Sequence, residues 1–409
     1  MRVVIIGAGI VGVMTAYYLT EIGMHVTLID RNEKAGTEAS RANASLLCYG
    51  QKSPLGHPAL WKHIPAILTG RDPRIKIRSP FHLPLYSWLF KLLQNCSTTR
   101  YRLNHLHLTE LAETSRVLMK DILERQELSF DHLKSGRLNL YADKKSLDTD
   151  MEKVQLCGNR FGIHADMLTP EECASKLPSL KDRKTPLVGG IFTAIDEIGD
   201  CEKFIDEIFA KYLTPKQNFA FMPNTRAEQL IRQEDKIEGV MTDKDVLTAD
   251  HYILCNGAGA RPLLRAHNIY LPIYPIKGYH IRCEMPEGLQ VPIPVMDVKT
   301  RTVAVQLGNT LKLSTGFIFD GMRTDIPKKY LVDLKNTAQE NLFPGYQFGK
   351  FSVHSGFRPF TPDSLPIVKP SQKFRNLSYN LGHGMLGWTI APATAYKCAE
   401  QICAIYDLK

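Results

Sequence analysis

The stretch Gly7-Ala8-Gly9-Ile10-Val11-Gly12, with Asp30 beyond it, carries the residue types and spacing needed to hold a dinucleotide. Gly7 makes a tight strand-to-helix turn, and Gly9 lets the backbone approach a pyrophosphate with no Cβ in the way. Gly12 allows the helix to pack closely on the strand. The helix amino terminus, at Ile10 and Val11, presents free N–H groups and the positive end of the helix dipole to phosphate. Asp30 can accept hydrogen bonds from both ribose hydroxyls of an adenosine, and its charge would repel the 2′-phosphate of NADP. Arg31, next to it, is counted with the cofactor-binding residues.

Three later segments decide between a short and a long dinucleotide. Glu38 to Ser45, with Ser40, Asn43 and Ala44, is small and polar and suits a run beside a cofactor. Cys255 to Ala260, with Asn256 and Gly257, is a small-residue turn behind a strand-like stretch. Gly382-His383-Gly384-Met385-Leu386-Gly387 is a glycine-rich turn leading into a final helix. Separated turns of this kind fit one long extended ligand, FAD more readily than NAD. His383 invites a general-base role because an imidazole titrates near neutrality. We read it instead as part of a turn whose backbone N–H groups meet the flavin ring and stabilise its reduced, anionic form.

These residues need elements to position them. Val3 to Ile6 is uniformly apolar, as a strand buried on both faces should be. A helix through Leu19 and a strand at His25 to Ile29 complete a βαβ start. Further along we expect a long helix at Tyr101 to Arg125, strands at Gly136 to Tyr141 and Phe219 to Met222, and a helix at Cys201 to Tyr212. Strands between 266 and 350 should be mainly antiparallel. The expected fold is α/β: a Rossmann-type FAD-binding domain interleaved with an α+β substrate domain on a mainly antiparallel sheet. The first would use 1–78, 197–265 and 351–409; the second, 79–196 and 266–350.

Composition narrows the function. The chain has 409 residues and a net charge of +9, which favours anionic partners without choosing among them. No zinc-finger, RRM or KH pattern occurs, so nucleic acid is not expected as a partner. Nine cysteines without a Cys-x-x-Cys read as reduced thiols of a cytosolic protein. No metal-ligand spacing is present, and no Ser-His-Asp order supports hydrolysis. The apolar run from Val3 to Leu19 holds the nucleotide glycines rather than a secretion signal, and no apolar stretch reaches the length of a membrane span. Ile77 to Leu93, aromatic and aliphatic with basic flanks, reads either as a packed helix or as a peripheral membrane contact.

The chain resembles the D-amino acid oxidase superfamily of FAD enzymes, and within it the flavin subunits of bacterial D-amino acid dehydrogenases. The likeness rests on the glycine turn with Asp30, on Ser40 to Ala44, and on Gly189-Gly190 with Asp196 to Cys201. It continues through Tyr274-Pro275-Ile276-Lys277-Gly278-Tyr279, Ser355 to Asp363, and Gly382 to Trp388. Ser45 departs from it, standing where the family commonly has glycine, and so does Leu46 to Gly50. The resemblance implies oxidation of a small amino acid at Cα by hydride transfer to flavin N5, giving a 2-oxo acid and ammonia. Electrons would pass to a quinone or another respiratory partner at the inner face of the cytoplasmic membrane. It makes Arg358 the clamp on the substrate carboxylate, where the residue alone would read as structural. It places Ala227 near the adenine. Tyr274 and Tyr279 would close the pocket or be ordinary strand residues, and Lys277 would face the flavin or solvent. Two alternatives stay open: an oxygen-using oxidase of glycine, sarcosine or another secondary amine, and a non-catalytic FAD-binding subunit.

Overall fold

A computed structural model describes residues 1–68, 75–79 and 82–408. The strand Arg2–Ile6, apolar from Val3 on, lies inside a six-stranded sheet, with His25–Ile29 and His251–Leu254 parallel to it on either side. Phe219–Met222 extends one edge; Leu377–Leu381 and then the antiparallel Ile367–Pro370 extend the other. Val3 and Ile5 face one layer, in which the helices Ile10–Glu21 and Gly387–Ile405 pack with Thr98–Arg125 outside them. Val4 and Ile6 face the other layer, with Leu230, Val240 and Leu263 from a three-stranded sheet and a short helix. Burial on both faces is why this strand shows no polar alternation. The helix expected from Tyr101 begins at Thr98, because the Ser97 side chain accepts from Arg100 N at 3.3 Å and caps it.

The second sheet has nine strands and is mostly antiparallel, with the order Phe351–Phe360, Tyr274–Glu284, Thr310–Phe319, Thr302–Leu307, Val295–Asp297, Arg137–Tyr141, Gly189–Thr193, Asp166–Leu168. Lys76–Ile77 pairs beside Phe319. One face, with Ile281, Leu311 and Leu313, is covered by the helix Lys328–Asn341. The strand Phe351–Phe360, which the sequence reading assigned to the FAD-binding part, belongs here. It pairs with Tyr274–Glu284 from Tyr274↔Phe360 to Cys283↔Phe351. Pro359 lacks an N–H, and an edge strand tolerates that.

The segment read either as a packed helix or as a membrane contact has one packed face and one exposed face. In the helix Leu83–Gln94, Leu85, Trp88 and Leu92 are buried, and Trp88 Nε1 donates to Phe360 O at 2.9 Å. Leu83, Tyr86 and Phe90 are exposed, as is Trp61 on the neighbouring helix Leu60–Leu68. Pro80 and Phe81 of that segment lie outside the described residues. Among the described residues no helix is long and apolar enough to cross a membrane.

Candidate active site

One cavity of about 910 Å³ runs from the carboxyl end of the parallel strands to the larger sheet. Gly7, Gly9, Ile10, Val11, Asp30 and Arg31 line its first part. The first hydrogen bond inside the helix is Val13 N to Gly9 O, so the amides of Ile10, Val11 and Gly12 have no partner in the helix. Ser40 Oγ takes the Ile10 amide at 2.9 Å. The Asp30 carboxylate is fixed from two sides, by Ala8 N at 2.7 Å and Asn32 N at 2.9 Å. Gly12 does not line the cavity. A Cβ there would sit 1.8 Å from the Gly7 carbonyl oxygen, so its task is helix-on-strand packing.

Ser40, Asn43 and Ala44 run along the wall, with Asn43 bracing the segment through Ser40 O at 2.6 Å and Ser45 N at 2.7 Å. Ser45 holds φ +59°, a backbone that suits glycine better than serine. Its hydroxyl instead accepts from Lys312 Nζ at 3.0 Å. Sequence reasoning missed this lysine: nothing near it in the chain marks it. Burial and the neighbouring Arg282 push the Lys312 ammonium down to about 7, against about 10.4 in an unfolded chain. Between these values the unfolded chain binds the extra proton, so stability rises with pH by at most about 1.4 kcal/mol per unit. Thermal melts from pH 7 to 9 should therefore climb more steeply in the native chain than in Lys312→Met. Equal slopes would show that Lys312 stays charged.

Asn256, Gly257 and Ala227 line the cavity, and Asn256 Oδ1 is buried with no hydrogen-bond partner among the described residues. His383, Gly384, Met385, Leu386 and Gly387 line it at the start of the helix Gly387–Ile405, while Gly382 lies behind the turn against Thr361. This turn docks on the edge strand of the other sheet, Gly384 N donating to Pro359 O at 3.0 Å. Burial pushes the His383 imidazole down to about 3, and its Nε2 is 2.9 Å from Thr394 Oγ1. His383 is thus neutral and occupied. Cys48 also lines the cavity, as a thiol pushed up to about 11 by burial.

Arg358 reaches the cavity from the edge strand beside this turn. Its Nη1 donates to Gly316 O at 2.5 Å and its guanidinium lies 5.2 Å from the centre of the Phe317 ring. Gly278 makes the space: a Cβ there would stand 2.4 Å from Arg358 Cζ. Arg358 forms no ion pair with a described carboxylate, and burial together with Arg301 pushes it down to about 10. Arg301, 4.8 Å from the same ring, is a second cation of the cavity that the sequence reading did not single out.

Tyr274 and Tyr279 do not line the cavity. Tyr274 packs with Trp88 and Phe319, its hydroxyl 3.1 Å from His82 Nδ1. Tyr279 lies with Ile281 and Leu313 under the helix Lys328–Asn341, donating to Tyr330 O at 3.1 Å. Five positions separate them, so strand alternation alone puts them on opposite faces. Lys277 meets neither flavin site nor solvent; it is buried against Asp320 at 3.1 Å and donates to Arg323 O and Asp325 O.

Residues 2–401 match the family described as FAD dependent oxidoreductase. The chain belongs to that family. This FAD dependent oxidoreductase is 31% identical over 412 residues to the D-amino acid dehydrogenase of Rhizobium johnstonii, covering 98% of this chain and 96% of that one. Its fold is similar to glycine oxidase from Bacillus cereus, with TM-score 0.75 and 17% identity over 100% of this chain and 95% of that one. It is similar too to L-proline dehydrogenase from P. horikoshii, with TM-score 0.73 and 18% identity over 98% and 93%. FAD is the cofactor of this oxidoreductase family. The partnerless Asn256 oxygen, the open first-turn amides and the room above Gly9, where a Cβ would meet only Ser40 Oγ at 3.3 Å, fit that group.

Proposed function

We propose that this oxidoreductase removes two electrons from the α-carbon of a small D-amino acid, giving an imine that hydrolyses to a 2-oxo acid and ammonia. FAD, when bound, accepts those electrons. The observation that carries the reading is Arg358, a guanidinium held over Phe317 with its Nη1 fixed, at the cavity end nearest the His383–Gly387 turn. Its planar fork is suited to a substrate carboxylate, which would orient the Cα–H. The amide of Val11, beside Gly9, would hold the pyrophosphate and Asp30 the ribose hydroxyls, with Ala227 beside the adenine. Amides at the amino end of the helix Gly387–Ile405 would face the flavin ring. His383, neutral and bonded to Thr394, holds that turn and moves no proton. The six-stranded sheet and its turns thus serve the cofactor, and the nine-stranded sheet brings the substrate group to it.

The name of the curated relatives supports the D-configuration. The exposed Trp61, Leu83, Tyr86 and Phe90 support a membrane surface as the place where a quinone collects the electrons. The test is anaerobic bleaching of the flavin absorbance, near ~450 nm for flavins generally, by paired D- and L-amino acids, glycine and sarcosine. Reoxidation by a quinone in vesicles then follows. Bleaching by D-forms with faster recovery from quinone than from oxygen is the expected result. Preference for sarcosine with peroxide release would make it an oxidase, and no bleaching by any of them would defeat the reading.

A further inference from the structure

We infer that the cavity continues past Arg358 into a side-chain pocket for an amino acid that ends in a neutral N–H donor, a carboxamide above all, held by Asn139 and His105. The inference deepens the reading that the chain oxidises amino acids and rests on it. The floor of the pocket is one row of the nine-stranded sheet. Ser314 pairs with Val303, Val303 with Met296 and Met296 with Asn139, and all four line the cavity. Direct partners share a face, and neighbouring strands stand ~4.8 Å apart. Three spacings therefore carry the row ~14 Å from the strand that holds Gly316 and Phe317 beside Arg358. A hydrogen bond of ~3 Å at each end leaves ~8 Å. Alanine cannot bridge that span; an extended glutamine can, with its methylenes over Val303 and Met296.

The far end of the row is unsatisfied. Asn139 and His105 are 5 and 2% exposed and both line the cavity. Neither Asn139 Oδ1 nor His105 Nδ1 has a hydrogen-bond partner among the described residues. A buried acceptor left unpaired is costly, which points to a ligand that supplies the missing hydrogens. The two atoms come from different parts of the fold, the strand Arg137–Tyr141 and the helix Thr98–Arg125. Asn139 spends its amide N–H on Tyr141, so its oxygen is the end left over. The backbone of Lys52 takes the His105 ring proton, and burial pushes the imidazole down to about 4, which makes Nδ1 a bare acceptor near neutrality. Charge excludes the other polar side chains. Lys52, Arg137 and Lys153 line this part of the cavity against the carboxylates Asp150 and Asp196, and the excess repels an ammonium or guanidinium. A carboxylate brings no hydrogens for the two acceptors, and the cations are already engaged. Lys52 donates to Tyr49 O, Arg137 to Gln51 O at 2.7 Å and Lys153 to Asp150 at 2.6 Å. The matching substrate is D-glutamine, with D-asparagine one methylene short.

The test compares anaerobic flavin reduction by D-glutamine, D-glutamate, D-norleucine and D-alanine in the native enzyme, in Asn139→Leu and in His105→Phe. Norleucine has the length of glutamine without its donor, and each variant removes one acceptor while keeping the side chain's bulk. The native enzyme should favour D-glutamine over both D-glutamate and D-norleucine by about tenfold or more in rate constant over Kd, because only the amide pairs the two acceptors. Each variant should bring D-glutamine down towards D-norleucine by raising Kd, with a loss on D-alanine several times smaller. D-norleucine or D-glutamate reacting as well as D-glutamine in the native enzyme overturns the inference, while bleaching by D-alanine keeps amino-acid oxidation standing. A glutamine-to-norleucine ratio unchanged in both variants overturns it too. So does slower reoxidation by quinone in the variants with flavin reduction unaltered, which would give the pocket to the electron acceptor. Bleaching by no amino acid at all removes both readings together.

Discussion

Arg358→Ala gives a protein that stays yellow and barely reacts. Its kcat/KM for the native amino acid should fall by about 10²–10⁴, the range for losing one side of an enclosed, hydrogen-bonded charge pair. FAD content should hold, because the arginine stands on the substrate sheet and none of the cofactor turns depends on it for a hydrogen bond. Arg358→Lys keeps a charge but neither the planar fork nor the anchored Nη1, so it should recover only a small part of the loss. Steady-state turnover alongside flavin absorbance separates the two effects. Native efficiency in the alanine variant would remove the carboxylate clamp from the mechanism.

Gly9→Val should produce the opposite phenotype, a folded chain without flavin. In the free protein the first added carbon meets only Ser40 Oγ, at 3.3 Å, a side-chain tip that must give slightly, so the fold should survive it. The branched side chain then occupies the space where the backbone must approach the pyrophosphate. Far-ultraviolet circular dichroism should be unchanged while the purified protein is colourless. Gly12→Ala is the informative contrast. Its Cβ would fall 1.8 Å from the Gly7 carbonyl oxygen, so helix and strand must separate and the chain should be destabilised whether or not FAD is supplied. A full flavin complement in Gly9→Val would mean the pyrophosphate lies elsewhere.

What was legible in the sequence was local in its causes. The glycine turn, Asp30 and the strands around them announce themselves because each residue answers a demand of its immediate neighbours: a turn, a close approach, a strand end. Arg358 was legible only through its resemblance to a family. In the structure its position depends on Gly278 and Gly316, which lie on two other strands. The tyrosines were misplaced because sidedness in a sheet follows parity and pairing, and Tyr274 and Tyr279 sit on either side of an irregular register at Lys277. Lys277 itself offered no clue to a partner as remote as Asp320. Arg301 and Lys312 carry no local signature at all; a hairpin turn and a buried strand bring them to their places. The domain boundary slipped for a related reason. Phe351–Phe360 touches the cofactor turn at its end and was taken for part of the cofactor domain, whereas its hydrogen bonds run to Tyr274–Glu284.

The order of strands in the parallel sheet has a consequence for how the enzyme is made. Arg2–Ile6 leaves the ribosome first, yet one of its neighbours is His251–Leu254, and the strand beyond that is Leu377–Leu381. At translation speeds of roughly 5–20 residues per second, about 20–75 s pass before the sheet can close. Pairings across such separations also form slowly once they become available. For about 12–50 s of it, until His251–Leu254 is made, the first strand offers an open edge to other nascent chains, and for the whole of it the glycine turn has no His383–Gly387 turn opposite it. The flavin site is therefore incomplete until the His383–Gly387 turn has been made, and the yield of active enzyme in a cell should depend on what shields that edge until His251–Leu254 pairs with it.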